Sequence, residues 1–241
     1  MIDPSTLSLA FLVFTSVVAV AVASMLLRTF RGGGAIFALL GLGVWLGFVG
    51  AMNWFGFLSD PNQRPPGMAV VAGPVFTLVI LVAALPSTGR RLASSIPLGT
   101  LIGFQAYRVG VEFTVNELHG QGLVPRLLTL AGGNFEFLIA LSAPVVAWIA
   151  TRGLAGRRLA LVWNVVGLLS LANVGVRAVL STPGPLNLLH AEIPNVAFGM
   201  FPYGLIPCFM APLAVGFHLL SIRALRAASR TSYGQSTQFA A

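Results

Sequence analysis

Gln105, Arg108, Glu112, Asn116 and His119 recur at spacings of three or four residues in "QAYRVGVEFTVNELH". On a helix turning about 100° per residue these side chains share an arc of about 80°. Glu117 falls off that arc, at the lipid–water boundary. A cation and a carboxylate four residues apart can pair, and Arg108 and Glu112 are predicted to do so. Such a pair could hold an anionic or carbonyl group while a carboxylate works beside it as acid or base. Asn134 and Glu136 begin the next apolar stretch, and Asn173 and Arg177 end the one after it. A second pair, Glu136 with Arg177, is expected there. His190, Glu192, Asn195 and Asn53 add polarity at the same level. The expected site is therefore a polar pocket with Glu112 and Glu136 as acid–base groups. Gln105, Arg108, Asn116, His119, Asn134, Asn173 and Arg177 would be its ligand-binding side chains. The competing expectation is that both pairs merely fix helix register, because buried ion pairs add little net stability.

The elements that position these residues must live in lipid. Of 241 residues 56% are hydrophobic and 8% charged, against roughly 25% charged in soluble domains; mean hydropathy is +0.89. Apolar runs near the roughly 20 residues needed to cross a bilayer recur throughout. Seven spans are predicted, Ser5 to Leu27, Ala35 to Leu58, Met68 to Leu85, Ile96 to Leu118, Asn134 to Thr151, Leu159 to Leu180 and Val196 to Ile222. The fold class is thus an all-α integral membrane protein, a seven-transmembrane helix bundle over residues 1–226 with a disordered cytoplasmic tail over 227–241. Arg28, Arg31, Arg90, Arg91, Arg152, Arg157, Arg158, Arg223, Arg226 and Arg230 follow the odd-numbered spans, and only Arg64 and Arg126 occupy the alternate loops. The positive-inside rule then puts the N-terminus outside and the C-terminus in the cytoplasm. A polar stripe in such a bundle must face its interior or a water-filled cavity. Here the pocket would open to the extracytoplasmic side. The net charge of +8 is accounted for by these loops and forms no basic face for nucleic acid. Span 1 lacks the basic n-region of a secretory signal and is expected to remain in the mature protein.

Several chemistries are excluded or unsupported. The chain has no lysine, so no retinal Schiff base can form. Cys208 is its one cysteine, which rules out an internal disulfide or a thiolate metal site. His119 and His190 lie toward the outer edge and His218 toward the inner one, a poor arrangement for haem. His119, His190 and Glu192 with Glu112 or Glu136 could hold zinc, but no recognised ligand spacing is present, so neither metal nor cofactor is assigned. His218 is expected to hydrogen-bond a neighbouring helix. Gly43 and Gly47, with Gly50 and Gly56 further along, suggest close helix packing in span 2, where Trp45, Trp54 and Asn53 suit interfacial anchoring, although Asn53 could equally face an internal cavity. Pro202, Pro207 and Pro212 predict a kinked or broken span 7, preceded by a short interfacial helix from Leu186 to Glu192.

The stretch "QAYRVGVE", followed by "GLVPRLLTLAGGNFEF", resembles an uncharacterised family of bacterial seven-span membrane proteins. In that family Q-x-x-R-x-x-x-E is followed by a proline, a threonine and G-x-N-F-D. The matching positions are Gln105, Arg108, Glu112, Pro125, Thr129, Gly132, Asn134 and Phe135, with Glu136 in place of the aspartate. The resemblance covers spans 4 and 5, implies a multi-pass protein of the bacterial inner membrane, and brings no reaction with it. The functional expectation is a pocket that binds or transforms a small amphipathic molecule such as a lipid, an isoprenoid or a quinone-like compound. A proton-coupled transporter or permease, or a structural subunit of a membrane assembly, is the alternative.

Overall fold

A computed structural model describes residues 2–238, with side chains described through residue 227. The expected tail over 227–241 falls almost wholly outside those described side chains. The described chain is all-helical. Helix α1 (Pro4–Thr29) starts where the Asp3 carboxylate accepts from the backbone N–H groups of Ser5 and Thr6, with proline in the first turn. Gly32, at φ +56°, makes the left-handed turn into α2 (Gly33–Trp54). Next come α3 (Gly67–Ala84), a short amphipathic α4 (Thr88–Ser95) that the hydrophobic pattern does not announce, and α5 (Leu98–Gly103). A 3₁₀ turn, Phe104–Tyr107, joins α5 to α6 (Arg108–Gly120). The chain ends with α7 (Glu136–Ala150), α8 (Gly153–Leu180) and α9 (Ala211–Gln238).

Among the described residues, five helical segments are long and apolar enough to cross a membrane: α1, α2, α3, α8 and the stretch Ile206–Ala227. Their outward faces stay apolar and open, as at Phe37, Val44 and Leu169, which suits lipid and would be a liability in water. Helix α9 is the hub, packing against α3, α4, α5 and α8, while α7 packs against α5, α6 and α8. The largest apolar core joins Leu7 and Phe11 of α1 to Val111, Val115 and Leu118 of α6 and to Phe209 and Met210 before α9.

The bundle has two distinct ends. At one, the backbone N–H of Ile2 donates to Glu117 (3.0 Å), so Glu117 holds the start of the chain. At the other, the Arg91 guanidinium lies 5.2 Å above the Phe30 ring. There Arg223 donates to the carbonyls of Ala83 (2.7 Å) and Ala84 (3.0 Å), which end α3.

The segment before α9 departs furthest from regular helix. A span was expected from Val196, but the chain forms a 3₁₀ turn at Ala197–Gly199, further turns, and a π-helical turn at Ile206–Met210. Proline explains the break and its repair. Pro212 has no N–H for the carbonyl of Cys208 four residues earlier, and the Trp45 indole N–H donates to that oxygen instead (2.8 Å). Asn53 clamps the non-helical stretch, donating to Gly199 O (2.7 Å) and accepting from Gly204 N (3.2 Å). Trp45 therefore serves backbone repair. Close packing at Gly43, Gly47 and Gly50 is also corrected: a Cβ at any of them would meet nothing within 4 Å. The short helix expected over Leu186 to Glu192 is absent. Pro183, Pro185, Gly184 at φ +114° and His190 at φ +43° break up a segment too short to nucleate helix alone.

Candidate functional site

The cavity floor forms where α6, α7 and α9 meet. Buried residues of α6 are Arg108, Val111, Thr114, Val115 and Leu118, and their mean direction lies roughly 90° from that of the polar stripe. The stripe thus runs along the edge of the buried face. Arg108 turns fully inside, Glu112 lies half-buried, and Asn116 is exposed.

Arg108 forms its ion pair with Glu136, the first residue of α7, and both side chains are almost wholly buried. This corrects both expected pairs. Four-residue spacing brought Arg108 and Glu112 to one edge, but the guanidinium reaches across to the N-terminus of α7, where a carboxylate also meets the positive end of the helix dipole. Arg177 in turn donates to the loop carbonyls of Gly132 (3.0 Å) and Leu127 (3.3 Å). The other Arg108 contacts run through Nη1, to Gln105 Oε1 (3.5 Å) and His218 Nε2 (3.2 Å).

His218 hydrogen-bonds neighbouring helices, as expected, but its link to Arg108 was not foreseen. Arginine can only donate, so Nε2 of His218 accepts and Nδ1 carries the proton. Nδ1 donates to Asn164 Oδ1 (2.8 Å), and Asn164 Nδ2 donates to Ala160 O (2.7 Å). Each role in this buried chain fixes the next. Gly167 makes room for the ring, since a Cβ there would come within 2.6 Å of Nε2. A histidine and an asparagine inside apolar spans were visible as intramembrane polar residues, but their link to Arg108 depends on packing between distant segments.

Glu112 belongs to a second, more open cluster. Its Oε2 accepts from Asn134 Nδ2 (2.8 Å), and its other oxygen makes no hydrogen bond among the described residues. Asn134 also donates to Leu128 O (2.8 Å) and accepts from the backbone N–H of Glu136 (3.0 Å). One asparagine thereby caps α7 and orients Glu112. Gln105 is buried and donates to Ala214 O (2.9 Å).

A cavity of about 620 Å³ opens beside these groups, within the roughly 300–1,000 Å³ usual for small-molecule sites. Tyr107, Arg108, Glu112, Asn134 and Glu136 form its polar wall. Its remaining walls are mainly apolar, with Ala72 and Phe76 from α3, Leu171 and Val179 from α8, and Met210 and Ala214 beside or within α9. Helices α3 and α8 both pack on or near α9 without substantial contact between them. Wall residues Ala69, Gly73 and Ile80 on α3 and Gly175, Val176 and Val179 on α8 are exposed, so the cavity opens sideways between these helices. Toward the Ile2 end it reaches Thr182 and Asn195.

The remaining candidates stand outside this cavity. Asn173 is exposed, and Arg177 supports the 126–133 loop. His119 donates through Nδ1 to Val124 O (3.0 Å) and fixes the turn after α6. In the outer loop, the Arg126 backbone N–H donates to Glu192 (3.0 Å) and holds that carboxyl below the usual range. Among the described residues no group of three or more His, Cys, Asp or Glu side chains is placed to hold a metal ion. Tyr107, absent from the sequence-derived candidates, lies in the wall and donates to Met210 O.

A family model described as a domain of unknown function (DUF8737) matches residues 65–226. That stretch contains every residue of the cavity wall, from Pro66 to Val215, while α1 and α2 lie outside it. No curated protein and no solved structure matches the chain.

Proposed function

Because the chain belongs to this family, a domain of unknown function (DUF8737), we propose its role from the site alone: it is a membrane protein whose pocket binds a small amphipathic molecule, lipid-like, isoprenoid or quinone-like. The observation that carries this reading is the shape of the cavity, an apolar chamber open between α3 and α8 with its polar groups gathered on one wall. A molecule with one apolar tail and one polar head matches that division. The sideways opening would admit it directly from the bilayer.

In the proposed topology α5, the 3₁₀ turn and α6 together form one crossing and α7 another, giving seven. The arginine-bearing connections face the cytoplasm of a bacterial cell by the positive-inside rule. The Thr182 and Asn195 end of the cavity then faces outward. Glu112, with one oxygen free of protein partners, is the group placed to give or take a proton from a bound head. Glu136, held by Arg108, serves to keep the wall in place. The polar chain leading away from the cavity ends when Asn164 bonds within its own helix at Ala160, which favours a binding pocket over a continuous transport path.

The test is mass spectrometry of what co-purifies with the detergent-solubilised full-length protein, wild type beside Glu112→Gln. A defined amphipath retained by wild type and lost from the variant is the expected result. Bulk lipid alone on both would remove the basis for an occupied pocket.

A further inference from the structure

The cavity wall is short of donors. Among the described residues lining it, Arg108 is the one cation, and its charge is matched by Glu136 while Nη1 is directed at His218 and Gln105. Tyr107 already donates its hydroxyl hydrogen bond to Met210 O, and Asn134 directs its amide to Glu112 and Leu128. Apart from Arg108 Nη2, which lies against Glu136, what is left over is oxygen. Asn195 Oδ1 is buried without a hydrogen-bond partner, and the second oxygen of Glu112 is likewise unbonded. A buried acceptor left unpaired is costly, whereas a partner brought by a ligand recovers that cost on binding.

The charge count points the same way. Arg108 and Glu136 cancel, leaving Glu112 as the carboxylate without a counter-ion among the described wall residues. A phosphate or carboxylate head would meet a carboxylate and acceptors, an arrangement that rejects anions. This reverses the expectation that Arg108 holds an anionic or carbonyl group.

Resting on the pocket reading above, we infer that the ligand is a single-tailed amphipath whose head donates hydrogen bonds, an alcohol or an amine, and that the site selects against anionic heads. The head lies against Glu112 beside α6 and the tail lies in the slot between α3 and α8.

The experiment uses the full-length protein in phosphatidylcholine nanodiscs and one saturated tail carrying five heads: dodecanol, dodecylamine, dodecyl methyl ether, dodecanoate and dodecyl phosphate. Apparent affinity is read from the concentration dependence of the thermal midpoint. The alcohol, the amine or both should bind at least about ten-fold more tightly than the ether, which accepts but cannot donate, and than either anion. Glu112→Gln separates the two donors: an alcohol keeps only a weaker hydrogen bond to the amide oxygen and loses a few-fold in affinity, whereas an amine loses its counter-charge and at least about ten-fold. Gly175→Trp reports location, because a side chain at this exposed wall position meets open space and would occupy the slot; it should abolish binding of the preferred head. Equal binding of all five heads, tightest binding of an anion, or a preference that survives Gly175→Trp would overturn the inference about the head while leaving a pocket. Absence of saturable binding for every probe would remove the pocket reading itself.

Discussion

Glu112 and Glu136 share one asparagine, and their surroundings differ almost completely. Asn134 donates to Glu112 and accepts from the backbone of Glu136, yet Glu136 is sealed against Arg108 while Glu112 keeps one oxygen free at the cavity. In a low-dielectric interior a charge persists when an opposite charge is fixed beside it. The comparison separates a carboxylate that organises the bundle from one that can meet a ligand. Sequence spacing alone assigns them the same role.

The strongest way to break this contrast is to remove the organiser. Glu136→Ala leaves the Arg108 charge buried without its counter-ion and should cost on the order of 3–5 kcal/mol. The expected outcome is loss of monodisperse protein in detergent or a large fall in thermal midpoint. Arg108→Met combined with Glu136→Leu should recover most of that loss, since an apolar pair of similar volume replaces an ion pair at little net cost. Failure of the double variant to recover would mean that the pair does more than balance charge.

Gly167→Ala tests the other side of Arg108. The new Cβ would sit 2.6 Å from His218 Nε2, and the fully buried ring has no open side to move toward. A loss of about 1–3 kcal/mol is expected from overpacking, read as a lower thermal midpoint. Gly175→Ala is the control, because a Cβ there meets nothing within 4 Å. A harmless Gly167→Ala would show that the Arg108–His218–Asn164 chain can rearrange freely.

These contacts also mark how far the sequence could be read. Hydropathy located the long apolar helices, and proline spacing located the irregular backbone before α9, because both are local signals. The partners of Arg108 were not local: Glu136 lies 28 positions and His218 110 positions along the chain. A helical wheel also assumes one continuous rotation, whereas the Phe104–Tyr107 turn winds about 3.0 residues per turn and shifts α6 relative to α5. Gln105 and Asn116 therefore do not face the same surroundings, although the wheel put them together. Asn53 shows a related limit. Its type left it between the interface and an internal cavity, and the bond to Gly199 became legible only once the chain was seen to leave the helix there.

Glu112→Gln sharpens the contrast from the open side. The amide oxygen still accepts from Asn134, so stability should change by no more than about 1 kcal/mol, while retention of a bound amphipath falls. A stability loss approaching that of Glu136→Ala would place both carboxylates in the structural framework. Asn116→Ala, on the exposed edge of the same helix, should shift stability within about 0.5 kcal/mol and leave the bound material unchanged.

Glu192 completes the series as a carboxylate in water. Its backbone bond from Arg126 stabilises the charged form and holds its carboxyl below the usual range, but the side chain is fully exposed. The sign of its pH effect follows from linkage: any contribution is present above the unfolded carboxyl pKa of about 4.3 and disappears as pH falls through the lower folded value. Glu192→Gln should therefore lower the thermal midpoint slightly at neutral pH and match wild type in acid. Screening by solvent and salt keeps this the smallest of the effects. If the difference instead persists unchanged in acid, the loop depends on the shape of the side chain and not its charge. The gradation from Glu136 through Glu112 to Glu192 would then reflect packing at its exposed end as well as at its buried one.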